Sequence, residues 1–199
     1  MSTKITSINY CPVKSVSFQP VENCKIKKNI GIIGDRIFAF AKDLDLEQAK
    51  LFEKSPAERK GKWNKVLTLK NSPALNKYNF IFKDEKLTLI FKDNEILSID
   101  INQLTERETL SNKISELESS LKQPITLMKN DAFPFFDTSI SKKVDFVNSV
   151  SLLNFQSIND FEKKVGKKIE TSIFRGNICI DGLEPWKERE WIGQTIKIN

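Results

Sequence analysis

The stretch NKVLTLKNSPALNKYNFIFKDEKLTLIFKDNEILSIDI, residues 64–101, constrains the fold of this chain more than any other. Its short runs are rich in Ile, Leu and Phe, and the polar tetrapeptides KDEK (83–86) and KDNE (92–95) break them. Polar breaks that short turn the chain back on itself, so the stretch predicts a meander of antiparallel strands. KITSINY (4–10) and DRIFAFA (35–41) are further strand-like runs. Gly31 and Gly34, beside the second, can supply the positive φ of a tight turn.

Helical spacing interrupts this pattern. In TERETLSNKISELESSLKQP the apolar residues Leu110, Ile114, Leu117 and Leu121 recur every three or four positions, with Thr105 and Glu108 as a capping box and Pro124 as the stop. LLNFQSINDFEKKVGKK predicts a second helix with Phe155, Ile158, Phe161 and Val165 on one face and Gly166 ending it. A third runs through LDLEQAKLFEK, residues 44–54. Composition changes near Pro124, which places a domain boundary there.

With 199 residues and 22.9 kDa the chain can bury a real core without disulfides or a structural metal. Cys11, Cys24 and Cys179 have no Cys-x-x-Cys spacing and there is no histidine, which argues against a zinc site and a histidine-based triad. The N-terminus has no apolar signal-like region, and no run approaches the roughly 18 apolar residues of a membrane span. A cytoplasmic protein with no membrane partner is expected. The net charge of +6 comes from lysines scattered through every segment, with no interleaving of basic and aromatic residues, so no nucleic-acid partner is expected either.

Only five residues are arginine, and two stand in tight, strand-bounded contexts: Arg36 in GDRIF and Arg175 in FRGN. A guanidinium fork matches the edge of a phosphate or carboxylate, and a neighbouring asparagine or serine adds neutral hydrogen bonds. The competing reading is an ion pair with a local acid, Arg36 with Asp35, that holds a strand end. Lys14 and Ser15 follow Pro12, whose fixed φ makes a rigid turn able to present both to a phosphate. The clusters FPFF (133–136) and EPW (184–186) read as packing residues, with a planar ligand as the alternative. Asp35, Asp137 and Asp181 are acid or base candidates, but nothing in their spacing pairs them. Cys11 lies in the turn with Lys14, and Cys179 reads as a small core residue.

In order along the chain, YCPVKSV, GDRIFAF and the block NSVSLLNFQSINDFEKKVGKKIETSIFRGNICIDGLEPWKEREWIGQTIKI resemble the MOSC proteins with an N-terminal β-barrel domain. That family is named for the C-terminal domain of molybdenum cofactor sulfurase and includes the mitochondrial amidoxime reducing component. The resemblance implies a mainly β fold with a few helices: a smaller N-terminal β domain over residues 1–123 and a β-barrel MOSC domain over 124–199. It also implies a molybdenum cofactor (molybdopterin) held between them, with Lys14, Ser15, Arg36, Arg175 and Asn177 contacting its phosphate and pterin, and Asn148 and Ser149 adding a polar pair. Pyridoxal phosphate is a second phosphate-bearing ligand in keeping with the same reading. The chemistry implied is reduction of N-hydroxylated small molecules, with electrons from a ferredoxin-like or cytochrome b5-like partner. The family's metal-ligating cysteine lies beyond the WIG segment and past Asn199, so no metal ligand is assigned and the MOSC domain is expected to be incomplete, with an open strand edge. The alternative is a non-catalytic carrier of pterin cofactor or sulfur.

Overall fold

The computed structural model describes residues 3–59, 61–121, 124–136 and 149–197. The strands are β1 Lys4–Tyr10, β2 Gln19–Val21, β3 Ile26–Lys27, β4 Gly31–Ile32, β5 Phe38–Lys42, β6 Asn79–Lys83, β7 Lys86–Phe91, β8 Asn94–Asp100, β9 Ile125–Lys129, β10 Leu152–Asn154 and β11 Ile178–Asp181. The α-helices are α1 Leu46–Lys54, α2 Leu104–Leu117 and α3 Phe155–Val165. The mainly β class with a few helices is therefore the observed one. The strands form four sheets, ordered β10-β11-β1-β2, β3-β4, β5-β9 and β6-β7-β8. None of the four closes on itself, and β5 carries only isolated bridges on its other side, from Phe38 to Val13 and from Ala41 to Val66, so the closed barrel expected from the resemblance is not found among the described residues.

Packing divides the chain into two compact units, one of Met1–Asn9, Pro20–Cys24 and Val150–Asn199, the other of Tyr10–Gln19 and Lys25–Ser149. A boundary at Pro124 is not where the chain parts. β9, just beyond that proline, pairs antiparallel with β5 along Phe38↔Lys129 to Lys42↔Ile125, which fixes it in the larger unit.

In the larger unit the meander is β6-β7-β8. Its two turns place Asp84 and Glu85, then Lys92 and Asp93, at φ of 50, 58, 51 and 62°. Two left-handed central residues give the turn geometry that matches strand twist. The strands begin only at Asn79. Residues 64–78, expected as strand, hold short helical turns at Trp63–Lys65 and Pro73–Lys77 and a single bridge from Val66 to Ala41; Pro73 opens the second turn and cannot donate to a ladder. Phe38, Phe40, Phe80, Leu89, Leu110 and Ile114 lie in one core that closes the space between the sheets and α2.

α2 buries Leu110 and Ile114 and half-buries Leu117 as its spacing predicts, but the capping box does not form. The helix starts two residues earlier than a Thr105 cap would place it, at Leu104, and Glu106 reaches back to accept from the Asp100 N–H at 2.5 Å. It also stops well before Pro124, because the Glu118 carboxylate accepts from Ser120 Oγ at 2.6 Å and pairs with Lys77 Nζ at 2.7 Å. Lys77 and Ser120 hold the Glu118 carboxyl below its ordinary range. A depressed carboxyl contributes stability above its unfolded value and loses it as pH falls through the folded one. Glu118→Gln is therefore expected to flatten the loss of stability of this unit below about pH 4.5, read from urea midpoints across the acid range.

In the smaller unit β10 and β11 run parallel and α3 is the crossover between them. Asn154 caps α3 by accepting from the Gln156 N–H at 3.1 Å, and Gly166 ends it at φ 67°. Of the predicted stripe only Ile158 is buried. Phe161 and Val165 are 37% and 48% exposed, so the stripe leaves the sheet after its second turn.

Candidate functional site

Two of the predicted segments lie side by side in the larger unit. The Arg36 N–H donates to the Cys11 carbonyl at 2.7 Å, Phe38 N–H to Pro12 at 2.9 Å, and Lys14 N–H to Phe38 at 2.8 Å. The Asp35 carboxylate, 1% exposed, accepts from the Cys11 N–H at 2.8 Å and locks the entrance to this ladder. Residues more than twenty positions apart are thus fixed by backbone bonds and one buried carboxylate.

Within that ladder Ser15 and Arg36 are both left-handed, at φ of 71 and 54°. Neither is glycine, so each conformation costs on the order of 1 kcal/mol. Lys14 and Ser15 are both 5% exposed. The Lys14 ammonium lies 5.7 Å from the Trp63 ring centroid, and Ser15 Oγ donates to the Leu67 carbonyl at 3.3 Å. The Arg36 guanidinium pairs with Asp35 and stands 4.9 Å from the centroids of both Phe18 and Phe136. The ion-pair reading of Arg36 is the observed arrangement, and the aromatic pair keeps the fork flat and oriented.

The remaining pair belongs to the smaller unit. A helical turn, Thr171–Phe174, ends on Arg175 at φ 53°, the third left-handed residue in the predicted set. Gly176 follows because an added Cβ there would stand 2.8 Å from the Leu153 Cβ. Asn177 is 1% exposed, and its carboxamide ties three segments together. Nδ2 donates to the Asn9 carbonyl at 3.1 Å, while Oδ1 accepts from Ser151 Oγ at 2.9 Å and Ser151 N–H at 3.2 Å.

Ser149 is exposed at the edge of the described residues, and Asn148 and Asp137 lie outside them. Phe135 and Phe136 are buried and Trp186 donates Nε1–H to Asp160 at 2.5 Å, so these three pack as expected, whereas Phe133 is 43% exposed. Asp181 accepts from Gln156 Nε2 and the Gly182 N–H, both at 2.7 Å, and those bonds hold its carboxyl below the ordinary range. Cys11 is fully buried and donates to the Val13 carbonyl at 2.7 Å. Cys179 is buried within β11. Among the described residues no three His, Cys, Asp or Glu side chains gather in a group that could hold a metal.

Sequence reasoning missed Arg59. It is 1% exposed, donates from Nε to Phe52 and from Nη1 to Phe133 and Pro134, and stacks 4.0 Å from the Phe135 centroid. Its flanks, PAERKGK, look like a solvated loop. Only the packing of α1 against residues 133–135 reveals it. Among the described helices none is long and apolar enough to cross a membrane. No protein-family model matches this chain, and no curated protein matches it either.

Proposed function

We propose that the chain binds the molybdenum cofactor in the manner of a MOSC protein, through its phosphate and pterin. The observation that carries this reading is the backbone ladder that brings Lys14, Ser15 and Arg36 into one place with two of the three in left-handed strain. Strain at non-glycine residues concentrates where side chains must be aimed, and an ammonium, a hydroxyl and a flat guanidinium are the donors an anionic group requires. Within the smaller unit, taken by itself, Arg175 carries a guanidinium fork of the same kind, and Asn177 braces the turn that presents it. The donor set thus fits the organic part of the group. When bound, the metal would supply removal of the oxygen atom from N-hydroxylated small molecules, which leaves as water with two electrons from a ferredoxin-like or cytochrome b5-like partner and two protons. This chain's residues would hold the phosphate and fix the pterin's orientation.

A second reading, a carrier of pterin cofactor or sulfur without chemistry of its own, is favoured by the cysteines. The buried thiol of Cys11 is turned to backbone carbonyls, and Cys179 sits inside a strand. Pterin retained without molybdenum would select the carrier, and molybdenum with turnover would select the enzyme.

Arg175→Gly, which keeps the left-handed turn, is expected to lower retained pterin at least tenfold after gel filtration of cofactor-loaded protein. The loss corresponds to about 1.5–3 kcal/mol for one charged hydrogen bond. Arg189→Ala, whose guanidinium lies 4.6 Å from the Trp186 centroid, is expected to retain pterin as wild type does. Equal pterin fluorescence from both variants would remove Arg175 from the site.

A further inference from the structure

The larger unit holds a cavity of about 280 Å³ that none of the residues discussed so far uses as a ligand group. Lys42, at the end of β5, and Ser72, at the start of the Pro73–Lys77 turn, form its polar side. Leu67, Leu121 and Ile125 form its apolar side. Ser72 is 7% exposed, yet its hydroxyl has no hydrogen-bond partner among the described residues and caps nothing. Lys42 has no ion pair among them. That hydroxyl is open to the cavity, where it stands beside the unpaired ammonium of Lys42 and is free to take a ligand. The other polar groups at the rim are occupied. Asn71 donates to the Val66 carbonyl at 3.0 Å and accepts from the Thr68 N–H at 2.7 Å, while Ser120 donates to Glu118, which Lys77 neutralises.

We propose that this cavity binds a short-chain monocarboxylate, its carboxylate taken by Lys42 Nζ and Ser72 Oγ and its alkyl chain lying on Leu67, Leu121 and Ile125. Two donors suit a singly charged head better than a phosphate dianion, which demands more of them. The apolar wall rewards a chain, and the volume limits its length. The site adjoins the Lys14–Ser15 turn through Leu67, whose side chain lines the cavity while its carbonyl accepts from Ser15 Oγ.

The test is an NMR titration of the full chain with hexanoate, hexan-1-ol and inorganic phosphate. Hexanoate is expected to shift the amides of Ser72, Ser120 and Ile125 saturably, in the millimolar range that a ligand of few heavy atoms allows. Hexan-1-ol should bind at least tenfold more weakly. Lys42→Met should weaken hexanoate tenfold or more, and Ser72→Ala, which breaks no hydrogen bond of the protein, several-fold. No saturable shift, equal affinity for the alcohol, or phosphate binding as tightly as hexanoate would overturn the assignment. So would unchanged affinity in Ser72→Ala with its spectrum otherwise intact.

Discussion

Arg59→Ala is expected to lower the melting temperature of the larger unit by about 8–15 °C, the shift that about 2–4 kcal/mol produces in a unit of this size. The opposing terms can be weighed. Truncation leaves the carbonyls of Phe52, Phe133 and Pro134 without their donor and empties the space over Phe135, which together cost on the order of 5–6 kcal/mol. Against this stands the removal of a poorly solvated charge. Burial pulls the guanidinium pKa below its ordinary value to about 10, equivalent to about 3 kcal/mol of penalty on the charged form. Because the folded value is the lower one, that penalty is complete below about pH 10 and is relieved only as pH rises above it. Nη2 gains nothing back, since it has no hydrogen-bond partner among the described residues. Glu53 is the nearby carboxylate, and it already serves Arg107 Nη1 at 2.9 Å and the Lys129 N–H at 2.7 Å. Arg59→Met, which refills the space without the charge, should recover about half of the loss. A fall of under 3 °C in Arg59→Ala by calorimetry would show that water satisfies those carbonyls.

How much of this was readable beforehand follows the distance over which each feature is decided. The β6-β7-β8 meander was visible because KDEK and KDNE settle it within four residues each. The C-terminal end of α3 was visible for the same reason, in Gly166, while its cap at Asn154 was not singled out. The β5-β9 pairing was not, because it joins segments that no local signal connects. The unit boundary was misplaced on the same account, since β1 at the start of the chain pairs with β11 near its end. At the candidate site the residue types stood out, as scarce arginines beside glycine and proline, while the conformations did not. Ser15, Arg36 and Arg175 adopt left-handed backbones that their identities disfavour, held there by ladders and tight packing around them. The same contacts that make Arg36 a partner of Asp35 also make it a flat, oriented donor, so the two readings of that arginine are compatible.

Asn177 separates a residue that touches a ligand from one that holds the site in shape. Asn177→Ala leaves Ser151 N–H, Ser151 Oγ and the Asn9 carbonyl without their side-chain partner in a place that is 1% exposed. One shared alternative survives, because Ser151 Oγ also accepts from the Asn177 N–H at 3.0 Å and donates to the Arg175 carbonyl at 3.3 Å. The net cost is therefore set by Asn9 and the Ser151 amide, about 2–4 kcal/mol. Asn177→Asp keeps the acceptor facing Ser151 but turns a second oxygen toward the Asn9 carbonyl, so it should cost at least as much despite its near-identical shape. Hydrogen exchange provides the readout. β11 and the Asn9 end of β1 should lose protection in both variants without any ligand present, while β6-β7-β8 in the other unit stays as protected as in wild type. If both variants keep wild-type protection yet lose pterin, Asn177 is a direct ligand contact. If protection falls first, with retention following it, its work is to hold Arg175 in place.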